Sequence, residues 1–293
     1  MFLADPFFWG DSMNYKREVH ELYQQAYAKA ASSIERAKKK GLPVYPVDLN
    51  RLMENRMISH RLDLGIMEIP TSLIVGVAET SEKSALYTKE FLPVSAPKSE
   101  FADQWRDICI HYSSGEGLPG FVHCYEYLGK FYIVDGLKRV SVAKFSKAPT
   151  MKSKVIRIMP IKTDTRSVQL YYDFLLQFQM TRMYQLQFTQ DGFFEKLQTG
   201  LGFEMGHKWT DSERSRFLAV WPKIEEAFHK SYEESLRISA ADALVVLLEK
   251  YSINQISHMP SWVLARIFQV FWKELYALSS PRFLGKGNLI KAG

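Results

Sequence analysis

Residues 121–147 read FVHCYEYLGKFYIVDGLKRVSVAKFSK and carry the strongest local pattern of the chain. Side chains alternate in character over residues 121–128, which is typical of a strand with two different faces. A turn at Gly129 is followed by the apolar run 131–134, which indicates a buried strand. We therefore predict a β-hairpin here, followed by a helix over residues 137–147.

Further strands on both sides of this hairpin indicate an α+β fold. Residues 154–159 form a strand-like run that ends at Pro160. Upstream, residues 66–77 contain short apolar runs that are broken at Pro70, and we interpret these runs as strands as well. Strands and helices in mixed order predict a small mixed sheet that is packed with helices.

The rest of the chain is predicted to be mainly helical. Residues 15–40 place apolar side chains at three- and four-residue steps and end in three lysines before Gly41, as helices commonly do. After Pro160 the strand patterns stop and amphipathic helical spacing continues. We predict four parts: an N-terminal helical arm (1–64), an α+β domain (65–161), an all-α domain (162–278) and a tail or linker (279–293).

Positive charge is concentrated in one part of the chain. The formal net charge is +6, yet residues 130–157 contain eight basic side chains and one acidic side chain, a local net charge of +7. Clustered cations attract phosphates at short range, so this basic stretch indicates a nucleotide or a nucleic acid as partner. A basic face that is only solvated produces the same pattern, and the sequence leaves both interpretations open.

Within the basic stretch, a glycine stands between the buried strand and the next helix. Glycine lets an anion approach the backbone, and a helix start offers unpaired amide groups and a partial positive charge. An arginine can hold a phosphate through two parallel hydrogen bonds. The candidate phosphate- or nucleotide-binding residues are Asp135, Gly136, Lys138, Arg139 and Ser141. An ordinary strand-to-helix turn with exposed cations is the alternative interpretation.

The basic stretch also suits contact with DNA. Lysines bind the phosphates of a duplex without reading its bases, and such binding weakens steeply with salt. The candidate nucleic-acid contacts are Lys144, Lys147, Lys152 and Lys154. A DNA-binding protein is therefore an alternative to a nucleotide-binding module.

The strand, glycine and helix pattern resembles the ParB/sulfiredoxin-like superfamily. In that superfamily a glycine-x-x-arginine motif opens the helix after a buried strand, and residues 136–139 (Gly-Leu-Lys-Arg) match it here. The superfamily's paired strands resemble residues 120–134 and its opening strand resembles residues 69–75, so the likeness covers residues 65–161. More closely, the chain is similar to an uncharacterised group of bacterial proteins with a stretch like G-N-K-R-V-S-V-L-K-Y, here residues 136–145.

This resemblance implies several activities. Members of the superfamily bind nucleotides and partition DNA, reduce sulfinic acids, or transfer phosphoryl groups to small molecules. In the bacterial group, the module can precede a substrate-binding domain of the basic-membrane-protein type. Leu137 stands where sulfiredoxins need a cysteine, which argues against reductase chemistry. The fold alone does not choose among the others. A binding or regulatory module, a DNA-binding protein and an ATP- or ADP-dependent phosphotransferase therefore stay open.

Composition and motifs disfavour several other classes of protein. The chain has 293 residues, of which 46% are hydrophobic, which is enough for a core without disulfide or metal staples. P-loop, G-x-G-x-x-G, G-x-S-x-G and H-E-x-x-H motifs are absent, and the two cysteines lack zinc-ligand spacing, so no metal site is predicted. No apolar run is long enough to span a bilayer and no secretory leader is visible, so we expect a cytoplasmic protein with no membrane partner. The cofactor is not identified beyond a nucleotide with Mg²⁺, and catalysis and oligomeric state stay open.

Overall fold

A mixed β-sheet and a set of helices make up this structure, a computed structural model that describes residues 12–54, 56–231 and 238–278. The chain divides into two units, residues 1–161 and 162–293. The sheet belongs to the N-terminal unit, and the overall class is α+β, as predicted. The predicted tail, residues 279–293, lies outside the described residues.

The sheet has six strands among the described residues. They are β1 (Val47–Asp48), β2 (Ile58–Pro70), β3 (Ile74–Val77), β4 (Val122–Tyr127), β5 (Lys130–Asp135) and β6 (Thr150–Pro160). Their order across the sheet is β1-β3-β5-β4-β6-β2. β4 and β5 form the predicted antiparallel hairpin, whereas β3 pairs with β5, and β4 with β6, in parallel. Leu128 and Gly129 both have positive φ, as a tight two-residue hairpin turn requires.

β2 and β6 are longer than their sequence patterns predict. The two strands pair antiparallel, from Ile58 opposite Pro160 to Pro70 opposite Thr150. The first half of β2 is exposed on both faces, so it lacks an alternating apolar pattern, and pairing with β6 is what orders it. The segment 1–64, predicted as a helical arm, therefore also contains β1 and the start of β2.

Helices cover the sheet of the N-terminal unit. They are α1 (Ser12–Lys39), α2 (Leu49–Met53), α3 (Glu100–His111) and α4 (Leu137–Phe145). α1, α3 and α4 share a core in which the rings of Tyr23 and Trp105 meet edge to face at 5.3 Å. α4 contacts both α3 and β4, so its first turn is held next to the start of β4.

The described elements of the C-terminal unit are helices. They are α5 (Arg166–Thr181), α6 (Phe193–Gly200), α7 (Asp211–Ser231), α8 (Ala240–Leu248), α9 (Ile253–His258), α10 (Ser261–Val270) and α11 (Trp272–Leu278). Ser239 and Asp242 form a capping box at the start of α8. The Asp242 carboxylate also accepts hydrogen bonds from the backbone amide (3.0 Å) and the hydroxyl (2.7 Å) of Thr189, which ties the segment before α6 to α8. None of the described helices combines the length and the apolar character needed to cross a membrane.

Candidate functional site

α4 begins directly after Gly136, the glycine of the predicted phosphate site. Gly136 has φ 100° and ψ 26°, in the left-handed region, and directly precedes Leu137. A Cβ atom at Gly136 would lie 2.7 Å from Cγ1 of Val122, so backbone conformation and available space both require glycine. Among the described residues no side chain caps α4, and its first turn contains no acidic residue. Within α4 no carboxylate neutralises the amide groups and the partial positive charge of this helix start, and the carboxylate that is nearest in the chain is that of Asp135, which precedes Gly136.

Arg139, in the first turn of α4, is held by two contacts. Its Nη1 donates a hydrogen bond to the carbonyl oxygen of Phe121, and its Nη2 lies 3.7 Å from Oδ2 of Asp135. Gly120 permits this approach, since a Cβ there would lie 3.3 Å from Nη1. The Arg139 side chain is 26% exposed and that of Asp135 is 74% exposed. The guanidinium is thus positioned but keeps donors that make no hydrogen bond to the described residues.

Two aromatic residues and a lysine adjoin this pair through the sheet. His123 on β4 pairs with Asp135 on β5 and with Lys154 on β6. The rings of Phe121 and His123 stack, with centroids 5.2 Å apart and 17° between their planes, and His123 is exposed. Phe121 and His123 are not among the site residues predicted from the sequence. Their positions two residues apart on a predicted strand were the available indication that they share a face.

Two of the predicted phosphate-binding residues have internal partners instead. Ser141 is fully buried, and its Oγ accepts a hydrogen bond of 2.9 Å from Nε1 of Trp105. Lys138 donates from Nζ to Oε1 of Gln104, and its Nζ lies 5.1 Å from the ring centroid of Phe101. The structure therefore brings together Asp135, Gly136 and Arg139, whereas Ser141 faces the core and Lys138 faces α3.

The four predicted nucleic-acid contacts are distributed over different elements. Lys144 is half-buried on α4, with its Nζ 5.5 Å from the ring centroid of Phe91. Lys147 is exposed beyond the end of α4. Lys152 and Lys154 lie two residues apart on β6, so they share one face of the sheet. Of the four, Lys152 and Lys154 are the pair that one element presents together.

One cation of the basic stretch is neutralised inside the protein. Arg157 is 8% exposed, and its Nε donates to the carboxylate of Glu126, which is fully buried. Because this ion pair is internal, the charge of Arg157 does not attract a ligand at the surface. The basic stretch therefore presents less positive charge than its sequence count of +7.

Thiol chemistry at this site has no support in the structure. Cys109 and Cys124 are both buried and unpaired with each other. Burial raises the pKa of Cys124 to about 12 and also raises the pKa of Cys109. Neither group is a thiolate near neutral pH, so neither is an activated nucleophile.

A metal ion at this site would need coordinating groups beyond those that the protein supplies. No cluster of three His, Cys, Asp or Glu side chains that could hold a metal occurs in the described part of the chain. Asp135 would hold Mg²⁺ together with the phosphate oxygens of a nucleotide, which is a common arrangement for this ion. The site geometry is therefore compatible with Mg²⁺ that arrives with its nucleotide.

Comparison with known proteins gives no family for this chain. No protein-family model matches the chain, and no curated protein matches it either. The ParB/sulfiredoxin-like resemblance stays a prediction from the sequence.

Proposed function

We propose that this chain is a binding module, non-catalytic or regulatory, that holds a nucleotide or another phosphate anion at the start of α4. The observation that carries the proposal is the uncapped first turn of α4 beside the partly exposed guanidinium of Arg139. Free amide groups and the helix dipole favour an anion, and a guanidinium adds charge-assisted hydrogen bonds. The proposed site consists of Asp135, Gly136 and Arg139 and the backbone amides that follow Gly136.

The aromatic pair beside the site favours a nucleotide over inorganic phosphate. The rings of Phe121 and His123 stack on each other, and His123 is exposed, so a further ring has access to this stack. Nucleobases stack on such rings with little regard to base identity. Lys154, the sheet neighbour of His123, supplies a further cation for the phosphates.

Asp135 sets the metal dependence of the proposed site. Its carboxylate is mostly exposed and lies 3.7 Å from Nη2 of Arg139, where it repels a bare phosphate. Mg²⁺ offsets this repulsion when it accompanies the nucleotide. We expect the Mg²⁺ complex of a nucleotide to bind more tightly than the free nucleotide.

The direct test is an equilibrium titration with fluorescent ATP and ADP analogues, with and without Mg²⁺. Arg139→Ala should weaken binding at least about tenfold, the loss of one charge-assisted contact. Arg51→Ala is the matched control, because Arg51 is an arginine of the same unit whose side chain is 81% exposed. No binding by the wild-type protein, or equal losses in the two variants, would contradict the proposal.

A second variant tests the role of the Asp135 carboxylate separately from that of the Arg139 guanidinium. Asp135→Asn should strengthen binding of the Mg²⁺-free nucleotide and reduce the advantage that Mg²⁺ gives. An unchanged Mg²⁺ dependence would remove Asp135 from the site while leaving Arg139 in it.

A phosphotransferase is the second candidate, because Asp135 places a carboxylate beside Arg139. A carboxylate near the phosphate is what proton transfer from an acceptor hydroxyl requires. This alternative predicts slow formation of ADP from ATP and Mg²⁺, lost in Asp135→Asn while nucleotide binding persists. ADP formation that is the same in both proteins would exclude Asp135 as the base.

DNA binding is the third candidate, supported by the neighbouring Lys152 and Lys154 on β6. Retardation of duplex DNA should then weaken steeply as salt rises. Each of Lys152→Ala and Lys154→Ala should lower the slope of log affinity against log salt by about one, whereas Lys83→Ala, at an exposed lysine outside the basic stretch, should leave it unchanged. Retardation that is absent or insensitive to salt would rule out this alternative.

A further inference from the structure

β2 forms one edge of the sheet, and its outer side pairs with no strand among the described residues. It is the longest strand of the described sheet, with 13 residues from Ile58 to Pro70, and its inner side pairs with β6. In an antiparallel pair, alternate residues direct their backbone N–H and C=O groups away from the partner strand. The outer side of β2 therefore presents a row of backbone donors and acceptors that another strand can pair with.

Large apolar side chains are exposed along the first half of β2. Ile58, Leu62 and Ile66 are 38%, 47% and 52% exposed, and they follow each other at steps of four residues. Ile58 and Ile66 lie opposite even-numbered residues of β6, so they share one face of the sheet. Leu62 lies opposite an odd-numbered residue of β6, on the other face. A strand that is added at the outer edge would bury part of all three side chains.

Two charges of opposite sign flank Leu62. Arg61 precedes it and Asp63 follows it, and both side chains are exposed. The Arg61 guanidinium lies 5.3 Å from the ring centroid of Tyr125, and the Asp63 carboxylate accepts a hydrogen bond from the amide of Gly65, but neither side chain forms an ion pair with the described residues. In an antiparallel strand pair that is centred on Leu62, Arg61 of each strand lies directly opposite Asp63 of the other.

The same centre also matches the apolar residues of β2 with each other. Centring on Leu62 sets Ile58 of one strand opposite Ile66 of the other, and these two residues already lie on the same face of the sheet. The pairing of β2 with β6 has one irregularity before Leu62 and one after it, so the bends of two antiparallel copies fall at similar places. The outer edge of β2 is therefore complementary to itself, as an interface between two identical chains requires.

The signs of the charges distinguish this edge from one that is protected against association. Edge strands that avoid pairing are short or carry like charges, commonly lysines, which repel the same residues of a second copy. β2 is long, and Arg61 and Asp63 each attract their counterpart in an antiparallel copy. This charge complementarity favours a second copy of this chain over an unrelated strand.

We propose that β2 pairs antiparallel with β2 of a second copy of this chain, about a two-fold axis at Leu62. On one face of the joined sheet, Arg61 of each copy forms an ion pair with Asp63 of the other. On the opposite face, the two Leu62 side chains meet. This association goes beyond the proposed nucleotide binding and does not depend on it, because the interface lies on β2 and the nucleotide site at the start of α4.

The experiment is sedimentation equilibrium of the full chain from micromolar to sub-millimolar concentration. We expect reversible association to a species of twice the chain mass of 33.9 kDa. Arg61→Asp sets like charges opposite each other at two places and should weaken the dimer at least about tenfold. The double variant Arg61→Asp/Asp63→Arg restores both ion pairs with their signs exchanged, so it should recover most of the wild-type affinity. Lys83→Asp makes the same change of charge at an exposed residue outside β2 and should leave the association unchanged.

A cross-link tests the position of the two-fold axis. Leu62→Cys places two thiols opposite each other, so a short bismaleimide should link two copies, whereas Lys83→Cys should give no more linked product than wild type. The native Cys109 and Cys124 are buried and so are shielded from the reagent. All the substituted side chains are exposed, so the variants should fold.

Four results would overturn the proposal. They are a monomer at every concentration, an equal loss of affinity in Lys83→Asp, no recovery in the double variant, and no cross-link in Leu62→Cys. A monomer would leave the edge of β2 to a different partner or to solvent. The nucleotide titration is independent of these results, because none of the substitutions changes Asp135, Gly136 or Arg139.

Discussion

The helices α4 and α6 are both preceded by an aspartate and a left-handed glycine, but the charges in their first turns differ. Gly136 and Gly192 each precede their helix in the left-handed region. At α4 the first turn contains Lys138 and Arg139 and no acidic residue, whereas Glu195 lies in the first turn of α6. The left-handed glycine therefore determines where a helix begins, and the neighbouring side chains determine which ligand it favours.

The two regions also differ in whether their charged side chains have partners inside the protein. In the N-terminal unit, Arg157 forms a buried ion pair and Arg139 contacts Phe121 and Asp135. In the C-terminal unit, Asp173 on α5 and Glu195 on α6 line one cleft, and neither makes an ion pair with the described residues. A charge counted along the sequence is thus a poor measure of the charge that a surface presents.

The largest expected effect is a loss of stability when a cation with a partner inside the protein is removed. Arg157→Met should destabilise the folded state by about 3–5 kcal/mol, because it removes the guanidinium that balances the buried charge of the Glu126 carboxylate. Urea unfolding measures this loss. The double variant Arg157→Met/Glu126→Met should recover much of the stability, and a single variant as stable as wild type would place Arg157 at the surface instead.

Replacement of Gly136 and of Gly192 by alanine should lower the stability by different amounts. Gly136→Ala should cost about 3 kcal/mol, the sum of left-handed strain and a clash with Val122. Gly192→Ala meets no atom within 4 Å, so strain alone should cost about 1 kcal/mol. Urea unfolding with hydrogen exchange in α4 and α6 measures both values. Equal costs would show that the contact with Val122 does not constrain α4.

The role of Ser141 can be separated from the role of Arg139. Ser141→Ala should cost about 1–3 kcal/mol, because Nε1 of Trp105 loses its acceptor in the core. Nucleotide affinity should stay the same, in contrast to Arg139→Ala. Ser146→Ala, at the end of α4, is the control for a lost serine hydroxyl. A nucleotide affinity that falls in Ser141→Ala alone would return Ser141 to the site.

The smallest expected effect is a change in stability with pH, and it involves the start of a third helix, α7. Hydrogen bonds from the backbone of Thr210 and then from His207 lower the pKa of Glu213 to about 2. A lowered pKa stabilises the folded state above pH 4.5, and this stabilisation is lost as the pH falls from 4.5 through about 2. Urea midpoints between pH 5 and pH 2 should fall less in Glu213→Gln than in wild type. Identical pH profiles would show that the capping carboxylate contributes nothing.

Local patterns predicted the elements around α4. The hairpin and the following helix are confirmed, because alternation, a turn glycine and helical spacing all lie within a few residues. The start of β2 was not predicted as a strand, because its order comes from pairing with β6, about a hundred residues away in the chain.

The candidate sites also contain some residues that local sequence patterns predict and others that only long-range contacts bring together. Gly136 and Arg139 were visible because a helix start is a local feature. His123 joins them through strand pairing, and Phe121 joins them through its ring contact with His123 and through the hydrogen bond from Arg139 to its carbonyl oxygen. The cleft beside α6 was not predicted, because Asp173 and Glu195 belong to different helices and form no motif.

By itself, the sequence determined the α+β class, the hairpin and the glycine that precedes α4, because local conformation depends on near neighbours. Only the tertiary structure decided that Arg157 and Ser141 bond to buried side chains. It also decided that Asp173 and Glu195 line one cleft. The physical reason is that burial and charge pairing depend on distances in space, which residue spacing along the chain does not specify.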